Sequence, residues 1–221
     1  MKLPISPRLL ACARLVEPGQ RVADVGTDHG YLAIYLLLTH RASQVFAADV
    51  AEKPLARARE NARRFGVTAG LSFHLCDGVQ GLPQAFDVLV MAGMGADTMV
   101  HILSGAPWLL AGNYRLILQC QSTQHRLRRY LSQSGWIIRQ EIPVKDGRFL
   151  YTVISAVSGQ AALTPVQEFA SPALLASGSP LVAEYLARCQ RFLQQAVLAG
   201  GPEGEYYAAA LAGLQEMEAK P

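Results

Sequence analysis

Five short, largely apolar runs, Arg21 to Val25, Gln44 to Asp49, Leu71 to Leu75, Asp87 to Met91 and Tyr114 to Gln119, alternate with segments carrying helix signals. That alternation predicts a parallel sheet whose strands are joined by crossover helices. The helices expected between the strands are Tyr31 to Leu38, Pro54 to Phe65, Asp97 to Leu103 and Gln124 to Ser134. Pro54 suits a first helical turn, and Gly66 and Gly135 stand just past two helix ends. A chain of 221 residues, 51% hydrophobic and 17% charged, can bury a full α/β core and carry a small appendage.

The order changes after this succession. Trp136 to Val144 and Arg148 to Val157 read as two strands joined by Lys145-Asp146-Gly147, and Asp-Gly between such runs is a strong hairpin signal. A parallel sheet closed by an antiparallel hairpin separates the methyltransferase version of a doubly wound fold from the dehydrogenase version. Residues 158–180 are rich in Ser, Gly and Pro and predict a linker with one short structured piece at Val166 to Phe169. Leu181 to Leu198 and Glu205 to Met217, parted by Gly200-Gly201-Pro202, read as a helical hairpin. The expected organisation is therefore a main domain over 1–157, a linker over 158–180 and a helical hairpin over 181–221.

Tyr31 to Leu38, the longest apolar run, is far shorter than the ~20 residues a membrane span needs, and the Pro4/Pro7 start lacks a secretory apolar core. The expectation is a soluble, cytoplasmic protein. Cys12, Cys76, Cys120 and Cys189 lie far apart, and no histidines stand at ligand spacing, so neither a disulfide framework nor a metal site is signalled. The formal charge is +3. Residues 159–221 hold three basic and six acidic residues, which leaves +6 on residues 1–158 and favours a polyanionic partner there.

The chemistry gathers at strand ends. Asp24-Val25-Gly26-Thr27-Asp28-His29-Gly30-Tyr31-Leu32 is a glycine-bearing loop between a strand and a helix. Gly26 lets a cofactor approach the backbone, and the Tyr31 helix offers free N–H groups. The dinucleotide spacing would be G-x-G-x-x-G, whereas Gly26 and Gly30 stand four apart with Asp28 between them. A carboxylate there repels a pyrophosphate and tolerates a sulfonium cation. His29 is placed to hydrogen-bond the cofactor or orient Asp28; His74, His101 and His125 read as structural or surface residues.

Asp49 ends the second strand at about the offset where an acidic residue meets ribose hydroxyls, with a solvated strand end as the plainer alternative. Asp77-Gly78 follows the third strand and suits an adenine amine and ring, or a simple turn. Ala92-Gly93-Met94-Gly95 follows the fourth, where glycines leave room for a substrate. Arg126, Arg128 and Arg129, with Arg139, Lys145 and Arg148, supply much of the positive charge, either as a solvated helix face or as a nucleic-acid contact.

In order and spacing the Asp24 to Leu32 loop, Asp49-Val50 with Pro54-Leu55, Asp77-Gly78, Ala92-Gly93-Met94-Gly95 and Leu116-Ile117-Leu118-Gln119 resemble the bacterial tRNA adenine-22 N1-methyltransferases over roughly residues 6–157. The resemblance implies a Rossmann-like class I methyltransferase that uses S-adenosylmethionine to methylate N1 of an adenosine in the D-arm of tRNA. It implies a cofactor site made of Asp24, Gly26, Thr27, His29, Gly30, Asp49, Val50, Asp77, Gly78, Ala92, Gly93 and Met94. Asp28 and Tyr31 are the expected catalytic pair, the first stabilising the methylated base and the second stacking on it. Arg126, Arg128, Arg129, Lys145 and Arg148 are the expected RNA contacts. The chain departs from the family where Gln119-Cys120-Gln121 replaces Gln-Pro-Asn and in a C-terminal unit expected to be shorter than the family's. Two other readings stand beside this one: a methyltransferase for a small molecule or protein, and a nucleotide-binding domain without catalysis.

Overall fold

The computed structural model describes residues 3–219. In chain order the elements are α1 (Pro7–Leu15), β1 (Gln20–Val25), α2 (Tyr31–Leu38), β2 (Ala42–Asp49), α3 (Glu52–Arg64), β3 (Leu71–Leu75), β4 (Val88–Met94), α4 (Ala96–Ser104), α5 (Trp108–Ala111), β5 (Arg115–Cys120), α6 (Gln124–Gln133), β6 (Trp136–Asp146), β7 (Phe149–Ser158), α7 (Pro165–Phe169), α8 (Pro172–Leu175), α9 (Leu181–Ala199) and α10 (Gly204–Ala219). The seven strands form one sheet in the order β3-β2-β1-β4-β5-β7-β6. Strands β1 to β5 are parallel, and β7 runs antiparallel between β5 and β6.

The central strands are apolar on both faces because helices cover both. On one face Val22, Val45, Val88, Val90 and Ile117 pack with Ala11, Cys12 and Leu15 of α1 and Leu32 and Leu36 of α2. On the other, Leu89, Met91, Leu116 and Leu118 meet Met99 and Ile102 of α4 and Leu127 and Leu131 of α6. The order reverses between β1 and β4, so the loops leaving their carboxyl ends diverge and open a crevice there.

Helix α1 was not expected from the sequence, although Ser6-Pro7 is a helix-start pair, with Ser6 at the N-cap and Pro7 at the first helical position. Strand β4 also runs further than expected, through Ala92, Gly93 and Met94. Gly93 forms a bulge there: Ala92 pairs with Gln119 and Met94 with Cys120, leaving Gly93 as the extra residue at φ +85°.

The span 158–180 is not a spacer. It holds α7, whose N-cap Thr164 and N3 residue Gln167 form a reciprocal capping box, and α8, capped by Ser171. Phe169, Ala170 and Leu174 are buried against Leu150 of β7, Tyr185, Cys189 and Leu193 of α9, and Ala210 and Leu214 of α10. The helical hairpin formed by α9 and α10 is as expected, and α7 and α8 seat it on the sheet.

Candidate active site

The crevice above β1 and β4 is a cleft of about 370 Å³. Its walls include Asp24, Gly26, Thr27, Asp28, His29 and Tyr31 from the first loop and Ala92, Gly93 and Met94 from the end of β4. Nine of the expected site residues are thereby brought to one cavity. Asp49 stands at its edge: one carboxylate oxygen accepts from the Asp28 N–H at 3.4 Å and the other from the Ala51 N–H at 3.0 Å. Val50, 71% exposed, follows it. Gly30 closes the loop by donating to the Thr27 carbonyl at 2.8 Å and packs against Ala58 of α3. Asp77 lines a separate depression with His101 and Ser104, and Gly78 lies against Ile102.

Two backbone positions shape the floor. Gly26 sits at φ +76°, and a Cβ there would come within 2.2 Å of the Met94 Cε. Gly93 holds its bulge because its N–H donates to the buried Gln119 side-chain oxygen at 3.1 Å. The same oxygen accepts from Arg8 Nη1 at 3.0 Å, while the Gln119 amide donates to the Cys120 carbonyl at 3.3 Å. Gln119 thus ties β4, β5 and α1 together beneath the cleft.

Asp24 is the unusual charge. It is buried, and its carboxylate accepts from the Thr27 hydroxyl at 2.7 Å. Burial pushes its carboxyl up to about 6; the Thr27 hydrogen bond pulls the other way, and the charge of Asp49 adds to the rise. A buried carboxylate beside a second one is a seat for a cation. Ser6 and Arg8 also line the cleft, and the buried Ser6 hydroxyl has no hydrogen-bond partner among the described residues. It is a donor ready for an anionic group. Sequence reasoning missed Ser6, Arg8 and Gln119. The Ser-Pro helix start and a glutamine ending an apolar strand were the available signals.

At the mouth, Asp28 adopts φ +48°, a conformation Asp and Asn tolerate best among residues with side chains. Its carboxylate is 62% exposed and lies 3.6 Å from His29 Nε2. The His29 ring stacks on Tyr31, with centroids 5.5 Å apart and planes 12° off parallel. The loop therefore presents an exposed carboxylate, with His29 within reach, beside a flat aromatic surface.

The expected RNA contacts separate. Arg128 is not on the surface: it is fully buried, its helical phase placing it with His125, Leu127 and Leu131 on the inner side of α6. Its guanidinium grips Glu141 through Nε and Nη2, the shortest contact being 2.6 Å. It also donates to the carbonyls of Glu168 and Phe169 and to the Tyr185 hydroxyl. That removes Arg128 from any RNA-facing set. Arg129 pairs with Glu168 at 2.9 Å and Glu203 at 3.2 Å and lies 4.0 Å from the Tyr206 ring centroid, so it fastens the C-terminal helices. Arg126 pairs with Asp97, and Lys145 with Glu184. Arg148 has no carboxylate partner among the described residues and lies over Phe149.

The four cysteines are free thiols. Among the described residues no cluster of His, Cys, Asp and Glu is arranged to hold a metal ion, and no helix is long and apolar enough to cross a membrane.

A parallel sheet with strand order 3-2-1-4-5-7-6, an antiparallel β7 and a glycine-lined cleft at the β1/β4 switch point define a Rossmann-like class I methyltransferase. Residues 5–154 match the family described as "Methyltransferase domain", and the chain belongs to that family. It is 28% identical to the tRNA (adenine(22)-N(1))-methyltransferase of Bacillus subtilis over 85% of this chain and 76% of that protein. The crystal structure of Streptococcus pneumoniae Sp1610 in complex with S-adenosyl-L-methionine superposes with a TM-score of 0.83 at 26% identity, covering 95% of this chain and 97% of that one. The structure of a Streptococcus agalactiae protein of the NADB-Rossmann superfamily gives 0.86 at 25% identity, with 98% of both chains covered.

The charge state of Asp24 yields a direct expectation. A cationic ligand favours the ionised carboxylate, and the free cleft takes up a proton as pH falls through about 6. Affinity for such a ligand will fall on acidification below that point, by up to tenfold per pH unit. Because its carboxyl is raised by folding, Asp24 opposes folding above pH 6, on the order of 2–3 kcal/mol, and the opposition fades as pH drops toward 4. Asp24→Asn will therefore raise the melting temperature of the ligand-free protein at pH 7.5 while weakening ligand binding and flattening its pH profile. Titration calorimetry between pH 5 and 7.5 checks this; an Asn variant with full affinity and an unchanged profile would remove Asp24 from the site.

Proposed function

We propose that this protein transfers a methyl group from S-adenosylmethionine to N1 of an adenosine at position 22, in the D-arm of tRNA, in the cytoplasm. The observation that carries this reading is a pair of carboxylates at two depths of one cleft: Asp24 buried within it and Asp28 exposed at its mouth.

The cleft suits that cofactor on three structural grounds. Its floor at Gly26 and Gly93 lacks Cβ atoms, Asp24 is a buried partner for an ammonium or sulfonium, and Ser6 has an unused hydroxyl for a carboxylate. Asp49 and Val50 at the edge suit a ribose and an adenine face, and Asp77 stands further along the same side. The cofactor, when bound, supplies an electrophilic methyl carried on a sulfonium. N1 of adenine attacks with its lone pair, the methyl–sulfur bond breaks, and the base acquires the positive charge.

Asp28 then has a defined task. As a carboxylate near N1 and N6 it stabilises that charge and accepts an N6 proton, with His29 within reach to orient it. Tyr31, stacked on His29, offers a face for the base. Because N1 lies on the Watson–Crick edge, the target must leave its pairing or stacking, at a cost of a few kcal/mol.

Incubation of the protein with tRNA lacking this modification and with labelled S-adenosylmethionine, followed by nucleoside analysis, tests the reading. The expected product is 1-methyladenosine at position 22, dependent on enzyme. Label in protein or small molecules but not in tRNA would replace the substrate with another; no transfer to any acceptor together with nucleotide binding would replace the reaction.

A further inference from the structure

The hairpin of β6 and β7 brings its tip to the same edge of the sheet as the cleft. Cys120, the last residue of β5, pairs with Thr152, so Phe149, Leu150 and Tyr151 project past the end of the parallel strands. Strand alternation splits these three. Leu150 faces the C-terminal helices and is buried among them. Phe149 and Tyr151 point to the opposite face, the one whose next inward residue, Val153, packs with α1.

Phe149 is 49% exposed. Its ring lies 5.9 Å from that of Tyr151 with the planes 25° apart, and the Arg148 guanidinium sits 5.0 Å over it. The cross-strand partner of Phe149 is Asp146, whose carboxylate is 3.3 Å from Arg8 Nε. Arg8 lines the cleft and reaches the Gln119 oxygen that holds Gly93. A short chain of bonded contacts thus joins this aromatic surface to the cleft wall.

We propose that Phe149 and Tyr151, with Arg148, form a stacking platform for a base of the RNA strand that delivers the target adenine to the cleft. This rests on the reading of the substrate as RNA. Two rings 25° apart, Phe149 exposed and Tyr151 half-buried beside it, a guanidinium free of carboxylate partners among the described residues, and a surplus of positive charge on the sheet domain match the stacking-plus-cation chemistry by which unpaired strands are held. The platform holds a nucleotide flanking the target and fixes the path of the strand into the site.

The test is binding of an unmodified tRNA transcript by fluorescence anisotropy, with S-adenosylmethionine affinity and melting temperature measured on the same samples. The Phe149→Ala/Tyr151→Ala variant is expected to bind RNA about ten- to a hundredfold more weakly, with cofactor affinity and melting temperature near wild type. Phe149→Trp is expected to keep RNA affinity. Arg148→Gln is expected to reduce the salt slope by about one. Wild-type RNA affinity in the double alanine variant overturns the proposal. So does light scattering that shows a wild-type dimer dissociated by these changes, since the patch would then be a contact with a second copy. If the wild type binds tRNA but forms no methylated nucleoside, the functional reading fails and the relative affinities still decide the platform. A wild type with no RNA binding overturns the platform whatever its methyl acceptor.

Discussion

Arg128→Met will lower stability by about 3–5 kcal/mol, the usual cost of leaving one member of a buried ion pair without its partner. For a chain of this length that corresponds to a fall of roughly 10 °C in melting temperature. Arg128 and Glu141 are both fully buried, and the Glu141 carboxylate also accepts from Ser171 at 2.6 Å. Every N–H of the guanidinium is used, two of them on the carbonyls of Glu168 and Phe169 and one on the Tyr185 hydroxyl. The attraction of Glu141 and Tyr185 outweighs the burial that would strip Arg128 of its charge. Removal of the arginine leaves Glu141 charged in an apolar setting and frees three groups of the C-terminal unit, so α7 to α9 lose their anchor on β6. Adding Glu141→Leu should recover much of the loss, because two apolar side chains of suitable volume carry no uncompensated charge. Calorimetric unfolding of the two variants checks both statements; an Arg128→Met protein within 1 kcal/mol of wild type would show that the network is dispensable.

Asp28→Asn is expected to cut the rate of methyl transfer by on the order of 10²-fold or more, as for loss of a positioned base, while cofactor affinity stays within a few-fold. Asparagine is the informative replacement because it tolerates the φ of +48° and has nearly the same shape, so the loop persists while the charge goes. The backbone N–H of residue 28 still donates to Asp49 in the variant, which separates the carboxylate's contribution from that of the loop. Single-turnover rates with tRNA, beside calorimetric binding of S-adenosylmethionine, resolve the assignment. An unchanged rate would take Asp28 out of the chemistry; a collapse of cofactor binding would make it a cofactor ligand and place the base elsewhere.

Much of the catalytic half was legible because its determinants are local. Tyr31–Leu38 and Leu71–Leu75 have the expected bounds, and the expected terminal hairpin forms, although its turn is Gly147-Arg148 while Lys145 and Asp146 continue the strand as partners of Leu150 and Phe149. Helix α1 escaped notice because nine residues with one proline and scattered arginines carry a weak periodic signal. Residues 158–180 looked like a spacer because Ser, Thr and Pro mark both loops and helix starts. Here Pro165 and Pro172 begin helices behind Thr164 and Ser171, and the burial of Phe169 and Leu174 decides between the two uses.

By itself the sequence determined the sheet, its crossover helices, the terminal hairpin and the loop from Asp24 to Tyr31, since strand alternation, helix period and turn chemistry are properties of neighbouring residues. Only the tertiary structure decided which charges face water. Arg126 and Arg128 stand two residues apart on one helix, yet the first is exposed beside Asp97 and the second is sealed against Glu141, 13 positions further along the chain. Likewise Gln119, Ser6 and Arg8 meet at the cleft only because β5 and α1 converge there, and Phe149 and Tyr151 share a surface only because the hairpin overhangs the end of β5. Burial and long-range pairing depend on where distant segments come to rest, and a local pattern does not contain that information.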